Sequence, residues 1–398
     1  MPKVNPNILR WARETAGLTL EEAATKLDLH QARGVSPVDR LAALESGADQ
    51  PTRPLLTRMA KQYRRPLLTF YMTAPPRKGD RGQDFRTLPP DHSDIDEALL
   101  DALIRDVKAR QSMVRALLED EEDTVPLPFV GSARMSQGVS VVLASIQKTI
   151  QLDMAAFRAE GSPSDAFNLL RDRVEAAGVF VLLIGNLGSY HTALDLETFR
   201  GFALADDIAP FVIINDQDAD SARSFTLVHE LVHIWLGQTG VSASRAEISI
   251  EKFCNDVASE FLLPSSELQQ LAVNHRTDLE SAQTRISDFA RNRNLSASMV
   301  AYKLHRMGTI DFETWKSLSE TFRRMWLDHR KQQRILAREE ESHGPTYYPV
   351  RRHRIGKALL ELVSSMMHAG AITTSKAATV LGVKAKNVQN LLDTSGLV

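Results

Sequence analysis

The segment His229-Glu-Leu-Val-His233 lies in a largely apolar stretch, Ser221 to Leu236, that has helical periodicity. Positions i and i+4 of an α-helix project from one face, so the two imidazoles can bind the same metal ion. Polar side chains on a mostly buried helix are costly unless they are paired, which favours a metal site over two separate core histidines. Glu230 is then placed to act as a general base on a metal-bound water. The segment therefore predicts a buried, zinc-binding helix.

Three short runs of β-branched and aromatic residues precede this helix and are bounded by Gly, Asn and Asp. They are Val179 to Ile184, Thr198 to Leu204 and Pro210 to Ile214. Almost all of the remaining chain has helical periodicity, including a second helix from about Ile248 that Pro264 should end. We therefore predict an α+β fold that is predominantly helical, with a small sheet directly before the zinc-binding helix.

A catalytic zinc site normally has three protein ligands, and the third is expected to be a carboxylate on the following helix. Glu251 is the preferred candidate, with Glu247 and Glu260 as alternatives. Asn255, one turn beyond Glu251, could accept the ring N–H of a ligating histidine, and Asp256 is the alternative for that role. The sequence also leaves open a structural zinc site in which a fourth protein ligand fills the last position.

The composition limits which kinds of metal site are possible and indicates the cellular compartment. Cys254 is the single cysteine among 398 residues, which excludes an intramolecular disulfide framework and a cysteine-rich zinc finger. A formal net charge of -2 gives no overall basic field, so contact with nucleic acid would need a local patch. The N-terminal sequence lacks a signal core, and no apolar run reaches membrane-spanning length. We therefore expect a cytoplasmic protein that does not associate with a membrane.

Four blocks around the motif resemble, in the same order, the ImmA/IrrE family of zinc metallopeptidases. The blocks are Thr198 to Ala203, Ala209 to Asn215, Ser224 to His233 and Glu251 to Pro264. The resemblance implies a zincin-like core of the gluzincin type, in which His229, His233 and Glu251 bind Zn²⁺ and Glu230 is the catalytic base. Many members have Gly where this chain has Val232, a conservative choice for a helix.

The resemblance also implies a reaction and a class of substrate. It implies limited cleavage of a partner protein, a helix-turn-helix repressor or an antitoxin, in response to DNA damage or mobile-element signals. The motif identifies no residue that stabilises the transition state. Tyr190 and His191, in the loop between the first two predicted strands, are candidates for that role, and the alternative is that they are ordinary loop residues.

The N-terminal region contains four short helical patterns and resembles the XRE-type helix-turn-helix fold, most visibly in Thr19 to Ala24 and Leu41 to Gly47. Such a domain would place a recognition helix, Val38 to Ser46, in the major groove of DNA with Arg40 facing the bases. The basic side chains available for phosphate contacts are Arg53, Arg58, Lys61, Arg64 and Arg65. The turn over residues 30–36 is longer than usual, and Leu20 stands where such domains often have Gln, so a protein-docking domain is the alternative.

We predict five regions along the chain. They are an XRE-like helix-turn-helix domain at 1–75, a linker and connecting helix at 76–140, the zinc peptidase domain at 141–270, a helical region at 271–345 and a C-terminal helix-turn-helix-like region at 346–398. The Pro-, Gly- and charge-rich stretch 73–90 marks the first boundary. For the last two regions, a helical bundle that packs on the peptidase is the alternative.

Together these features predict an intracellular zinc-dependent endopeptidase that cleaves a DNA-binding repressor or antitoxin and so controls gene expression. Its partners would be that protein substrate and double-stranded DNA bound through the N-terminal domain. The alternative is a DNA-binding transcriptional regulator or antitoxin without proteolytic activity, in which the peptidase fold senses a ligand or binds a protein.

Overall fold

The computed structural model describes residues 3–32, 34–76, 94–121, 124–189, 192–238, 245–274, 276–339 and 347–393. Within these ranges the chain is predominantly helical and has one three-stranded sheet, which confirms the predicted α+β class. The described residues form two compact units. One contains residues 3–76, 94–107 and 186–199, and the other contains residues 108–185 and 200–393, each with the gaps given above. The limits of the five predicted regions remain predictions.

The first unit contains short helices with locally specified ends. They are α1 (Pro6–Glu14), α2 (Leu20–Lys26), α3 (Pro37–Ser46) and α4 (Arg53–Gln62), followed by a 3-10 turn (Leu67–Tyr71). Thr19 and Glu22 form a reciprocal cap at the start of α2, because each side chain accepts the other residue's backbone N–H, at 3.2 and 3.0 Å. Gly47 ends α3 with a φ of +80°. Ile8, Leu41 and Phe70 belong to the buried apolar core that these helices share.

A long helix, α5 (Asp94–Glu119), begins in the first unit and leads into the second. The further helices of the second unit are α6 (Val139–Ile150), α7 (Met154–Ala159), α8 (Pro163–Ala176), α9 (Asp220–Leu236), α10 (Arg245–Leu262), α11 (Leu279–Arg291), α12 (Ala297–Arg306), α13 (Phe312–Glu339), α14 (Tyr347–Ile355), α15 (Lys357–His368), α16 (Thr374–Leu381) and α17 (Val388–Leu392). Among the described residues, no helix combines the length and the apolar character needed to cross a bilayer.

The sheet consists of β1 (Phe180–Leu183), β2 (Gly201–Leu204) and β3 (Phe211–Ile214) in the order β1-β3-β2. The central strand β3 is parallel to β1 and antiparallel to β2, which leaves β2 at one edge. All residues of the three strands are buried, as expected for short apolar strands covered on both faces. Helix α9 packs against β2, β3, α8 and α10, so the predicted zinc-binding helix lies in the middle of the second unit's core.

A buried ion pair on α8 connects the C-terminal helices to this core. Arg171 Nε donates to Glu175 Oε1 at 3.1 Å, and the same guanidinium donates to the carbonyls of Val181 in β1 and His353 in α14. Glu175 Oε2 accepts the first two backbone N–H groups of α15, at 2.9 and 3.1 Å. These N–H groups have no partner within their own helix, so Glu175 caps α15 from outside.

Candidate metal centre

Helix α9 is fixed at its C-terminal end by a preceding loop. Gly237 adopts a φ of +64° and ends the helix. The backbone N–H of Gly131 donates to the carbonyl of Ile234 at 3.0 Å, and the ring of Phe129 stacks on Trp235 with centroids 4.3 Å apart. A Cβ on Gly237 would lie 2.7 Å from the Cα of Gly131, so this approach depends on a residue without a side chain. The turn of α9 that carries the second histidine is therefore held in place by backbone contacts.

Three side chains from α9 and α10 converge at a buried point. The Nε2 atoms of His229 and His233 are 3.2 Å apart, and they lie 3.3 Å from Glu251 Oε2 and Glu251 Oε1, respectively. Ligands of a tetrahedral zinc ion, with bonds of about 2.0–2.2 Å, are separated by roughly 3.3–3.6 Å. Among the described residues, this is the one group of three or more His, Cys, Asp or Glu side chains close enough to hold a metal ion.

The chemistry of the donor set also fits zinc. Burial alone would raise the pKa of Glu251, but its contacts with His229 and His233 lower that pKa to about 2, so the carboxylate is charged at neutral pH. Its Oε1 atom is buried and lies 3.3 Å from His233 Nε2 without a well-aligned hydrogen bond, an arrangement that a cation would compensate. Two imidazoles and one carboxylate form the ligand set of many catalytic zinc sites, which keep a fourth position for water or substrate.

Both histidines are oriented by neighbouring residues of α10. Asn255 Oδ1 lies 2.9 Å from His229 Nδ1, so the ring donates its Nδ1–H to the amide, and Nε2 is the atom that can bind a metal ion beside Glu251. Cys254 Sγ lies 3.8 Å from His233 Nδ1. Burial raises the pKa of the Cys254 thiol well above its usual range, and the nearby Glu251 adds to this effect. Cys254 is therefore a neutral contact of His233.

The alternatives considered for these roles lie elsewhere or have other partners. Glu260 accepts from Lys303 Nζ at 2.5 Å, and Asp256 forms an ion pair of 2.6 Å with Arg306. Both carboxylates therefore connect α10 to α12 and do not join the cluster. The side chain of Glu247 lies outside the described residues, and so do Tyr190 and His191.

Glu230 lies against the edge strand β2, next to Gly201, a residue that was not among the predicted site residues. The Glu230 side chain is on the buried side of α9. A Cβ on Gly201, the first residue of β2, would lie 3.1 Å from Glu230 Oε1, 2.7 Å from Thr226 Cγ2 and 3.0 Å from the carbonyl oxygen of Ile213. A glycine inside a predicted strand often marks such a close approach, and this was the available signal in the sequence. Gly201 leaves the space that the carboxylate occupies.

The structure places the predicted DNA-binding residues in two different settings. Arg40 Nη1 donates to the carbonyl of His30 at 2.6 Å, so this side chain is attached to the turn before α3. Arg65 stacks on Trp11 at 4.2 Å and donates to a hydroxyl of the same unit. Arg64 adopts a φ of +50° and is half-buried. The remaining three side chains are exposed on α4; they are Arg53, Arg58 and Lys61.

One segment of the chain matches a known family. The family model Peptidase_M78, described as an IrrE N-terminal-like domain, matches residues 181–305. The match extends from β1 to α12 and includes His229, Glu230, His233 and Glu251. It supports the resemblance to the ImmA/IrrE family over this segment and an activity of the metallopeptidase type. No curated protein and no solved structure matches the chain.

Proposed function

We propose that the protein is a zinc-dependent endopeptidase of the ImmA/IrrE type, with a zincin-like core. His229, His233 and Glu251 would bind the zinc ion, and Glu230 would be the general base. The observation that carries this proposal is the convergence of three ligand side chains, whose two Nε2 atoms and two carboxylate oxygens lie 3.2–3.3 Å from one another in the three measured pairs, with Glu230 on the same helix as both histidines.

When bound, zinc would polarise the scissile carbonyl and increase the acidity of the attacking water. Glu230 would accept a proton as the water oxygen bonds to the carbonyl carbon, and would return it to the amine nitrogen as the C–N bond breaks. Asn255 would hold the His229 ring so that its Nε2 stays directed at the ion. Glu251 would supply one negative charge and leave the cluster one position short of four ligands.

We further propose that the substrate is a regulatory DNA-binding protein, either a repressor or an antitoxin. The support is the family resemblance together with the sequence resemblance of Thr19 to Ala24 and Leu41 to Gly47 to an XRE-type domain. The cytoplasm is the compartment in which such a substrate is found.

The decisive experiment combines metal analysis with a search for cleavage products in cells. Purified protein should contain one zinc per chain, in the wild type and in Glu230→Gln. New protein N-termini should arise in cells that express the wild type and not in cells that express Glu230→Gln. Substoichiometric zinc, or an identical set of N-termini in both strains, would contradict the proposal. A fourth protein ligand on the zinc ion in a metal-bound structure would favour a structural site instead.

A DNA-binding regulator is the second candidate, and the exposed Arg53, Arg58 and Lys61 on α4 favour it. Because phosphate contacts release counterions, such binding should weaken steeply with salt. Retardation of DNA from the protein's own promoter region, lost in Arg58→Gln and at higher salt, would support this function. Absence of any salt-sensitive retardation would count against it.

A further inference from the structure

The second unit contains a cavity of about 370 Å³ that does not include the metal cluster. It adjoins Leu183, the last residue of β1, and Asp216, which follows β3 by two residues. Because β1 and β3 are parallel, their carboxyl ends lie on the same side of the sheet, which is where open α/β sheets commonly bind small ligands. Pro349 and Val350 of α14, together with Leu183, give this cavity an apolar wall.

The other wall is polar and carries two guanidinium groups. Arg354 Nη2 lies 2.7 Å from Asp216 Oδ2, and Arg223 Nη2 donates to the backbone carbonyl of Asp216 at 2.8 Å. Arg223 also pairs with the half-exposed Asp220 at 2.6 Å. Its Nε atom is buried and has no hydrogen-bond partner among the described residues. His353 completes this wall.

Several arginine side chains act on the Asp216 carboxylate. Burial raises the pKa of Asp216, and four guanidinium groups oppose that effect; they belong to Arg354, Arg223, Arg351 and Arg330. Burial also lowers the pKa of His353, with a further contribution from Arg171, so this imidazole is neutral at pH 7 and can donate or accept a hydrogen bond. Two guanidinium groups, of Arg223 and Arg354, thus line the cavity beside the Asp216 carboxylate, and Asp220 is a second acid that pairs with Arg223.

We propose that this cavity binds a small organic anion, with its phosphate or carboxylate group against Arg223 and Arg354 and its apolar part against Leu183, Pro349 and Val350. Guanidinium groups bind both types of oxyanion through paired N–H donors. The volume is within the range of natural small-molecule sites, and the combination of an apolar wall with a few polar groups is typical of them. The site does not depend on zinc or on peptidase activity.

The position of the cavity would let such a ligand contact two separate parts of the second unit. Arg223 lies on α9, six residues before His229, whereas Arg354 lies on α14. A bound oxyanion would connect the helix that carries the metal cluster to the C-terminal helices, and would favour the arrangement in which both are in contact with it. The ligand would therefore stabilise the second unit in the arrangement in which α9 and α14 both contact the cavity.

The test is isothermal titration calorimetry of the full-length protein with phenyl phosphate, benzoate, phenol and inorganic phosphate, each in the presence of EDTA. We expect one molecule of phenyl phosphate or benzoate per chain, and the tighter of the two identifies the preferred oxyanion. Inorganic phosphate should bind at least tenfold more weakly than phenyl phosphate because it lacks the apolar part, and phenol should not bind. EDTA prevents the ligands from binding through a metal ion at the cluster. Absence of binding in this experiment would therefore not contradict the proposed peptidase function.

Variants assign the binding to the cavity. Arg354→Gln and Arg223→Gln should each weaken binding by roughly tenfold or more, because each removes a charged donor. Arg324→Gln, on the exposed side of α13, is the matched control and should bind as the wild type does. Val350→Trp would place a large side chain in the cavity without changing any charge, so it should abolish binding. This variant tests the assignment independently if an arginine variant is poorly folded. Absence of binding at millimolar concentration, or binding that Val350→Trp leaves unchanged, would overturn the assignment.

Discussion

Asn255 Oδ1 lies 2.9 Å from the Nδ1 atom of His229, and Asn255 is one helical turn beyond Glu251 on α10. One helix therefore supplies both a carboxylate of the cluster and the group that orients a histidine of the neighbouring helix. The neutral amide can only accept from the ring through its oxygen, so it selects the tautomer with the Nε2 lone pair available for a metal ion.

Removal of this amide should weaken metal binding. We expect Asn255→Ala to reduce zinc affinity by about 10- to 100-fold, measured by competition with a chromogenic chelator, because the His229 ring loses its orienting partner. Asp256→Asn is the matched control, because Asp256 is adjacent but pairs with Arg306 and Tyr302. An equal loss of affinity in both variants would mean that α10 is disturbed as a whole.

Gly201→Ala should separate catalysis from metal binding. The added Cβ would press on Thr226 Cγ2, on the Ile213 carbonyl and on Glu230 Oε1, so β2 or the Glu230 side chain must move. We expect a loss of stability of about 1–3 kcal/mol and a larger effect on cleavage than on zinc affinity, measured by urea unfolding, by product formation and by chelator competition. Gly161→Ala, where no described atom lies within 4 Å of the added carbon, should match the wild type in all three measurements.

The capping contact of α15 should depend on Gly356. This residue has a φ of +90°, and an added Cβ would overlap Glu175 Oε1 and Arg171 Nη2 and lie 2.9 Å from the Val181 carbonyl oxygen. Gly138 has nearly the same backbone conformation, with a φ of +82° and a ψ of 162° against +90° and 157° for Gly356, but no described atom lies within 4 Å of its added carbon. Backbone strain of roughly 1–3 kcal/mol is therefore common to the alanine variants of Gly356 and Gly138, and only Gly356→Ala adds steric overlap. Thermal unfolding should show a clearly larger loss for Gly356→Ala, and equal losses would argue against a close contact.

The stability contributed by Asp206 should disappear in acid. Burial would raise the pKa of Asp206, but the backbone N–H of Ala209, the Arg115 guanidinium and the N–H of Ile208 lower it below the usual 3.8. A lowered carboxyl pKa stabilises the fold above the unfolded value and loses that effect as the pH falls through the folded value. The difference in unfolding free energy between the wild type and Asp206→Asn should therefore be constant near neutral pH and narrow below about pH 3.8.

Asp207→Asn serves as the control for that experiment. Asp207 pairs with the same Arg115 nitrogen, at 2.7 Å, but its side chain is 52% exposed. Exposed ion pairs contribute about 0–1 kcal/mol, so this variant should change stability little at any pH. A similar loss in both variants near neutral pH would show that Arg115, and not the buried position of Asp206, determines the effect.

Elements set by local periodicity could be predicted from the sequence. The predicted zinc-binding helix, Ser221 to Leu236, differs by one residue from α9, and each predicted strand contains the observed one. Apolar spacing, β-branched runs and glycine at a helix end are properties of neighbouring residues, so they are visible without the fold. Glu251 and Asn255 were selected by their spacing within one helix, and the structure brings both to the histidines.

Relationships between distant segments could not be predicted in this way. Gly201 adjoins Glu230 only because β2 packs against α9. No local sequence pattern predicts which strand packs against that helix. The approach of Arg354 to Asp216 likewise depends on how the C-terminal helices pack. The hydrogen bond from Arg40 to the carbonyl of His30 depends on the backbone conformation of a lengthened turn, and the sequence does not predict that conformation.

The contacts of Arg171 and Glu175 have a consequence for how this fold can be divided. The segment with a recognisable family likeness, 181–305, starts after α8 and stops before α14, so it contains neither the ion pair nor the helix that the pair caps. It also lacks the loop around Gly131 that holds the end of α9. A gene fragment cut to those limits would encode the residues of the metal cluster without the contacts that hold α9 and α15, because the segment with family likeness is shorter than the second unit.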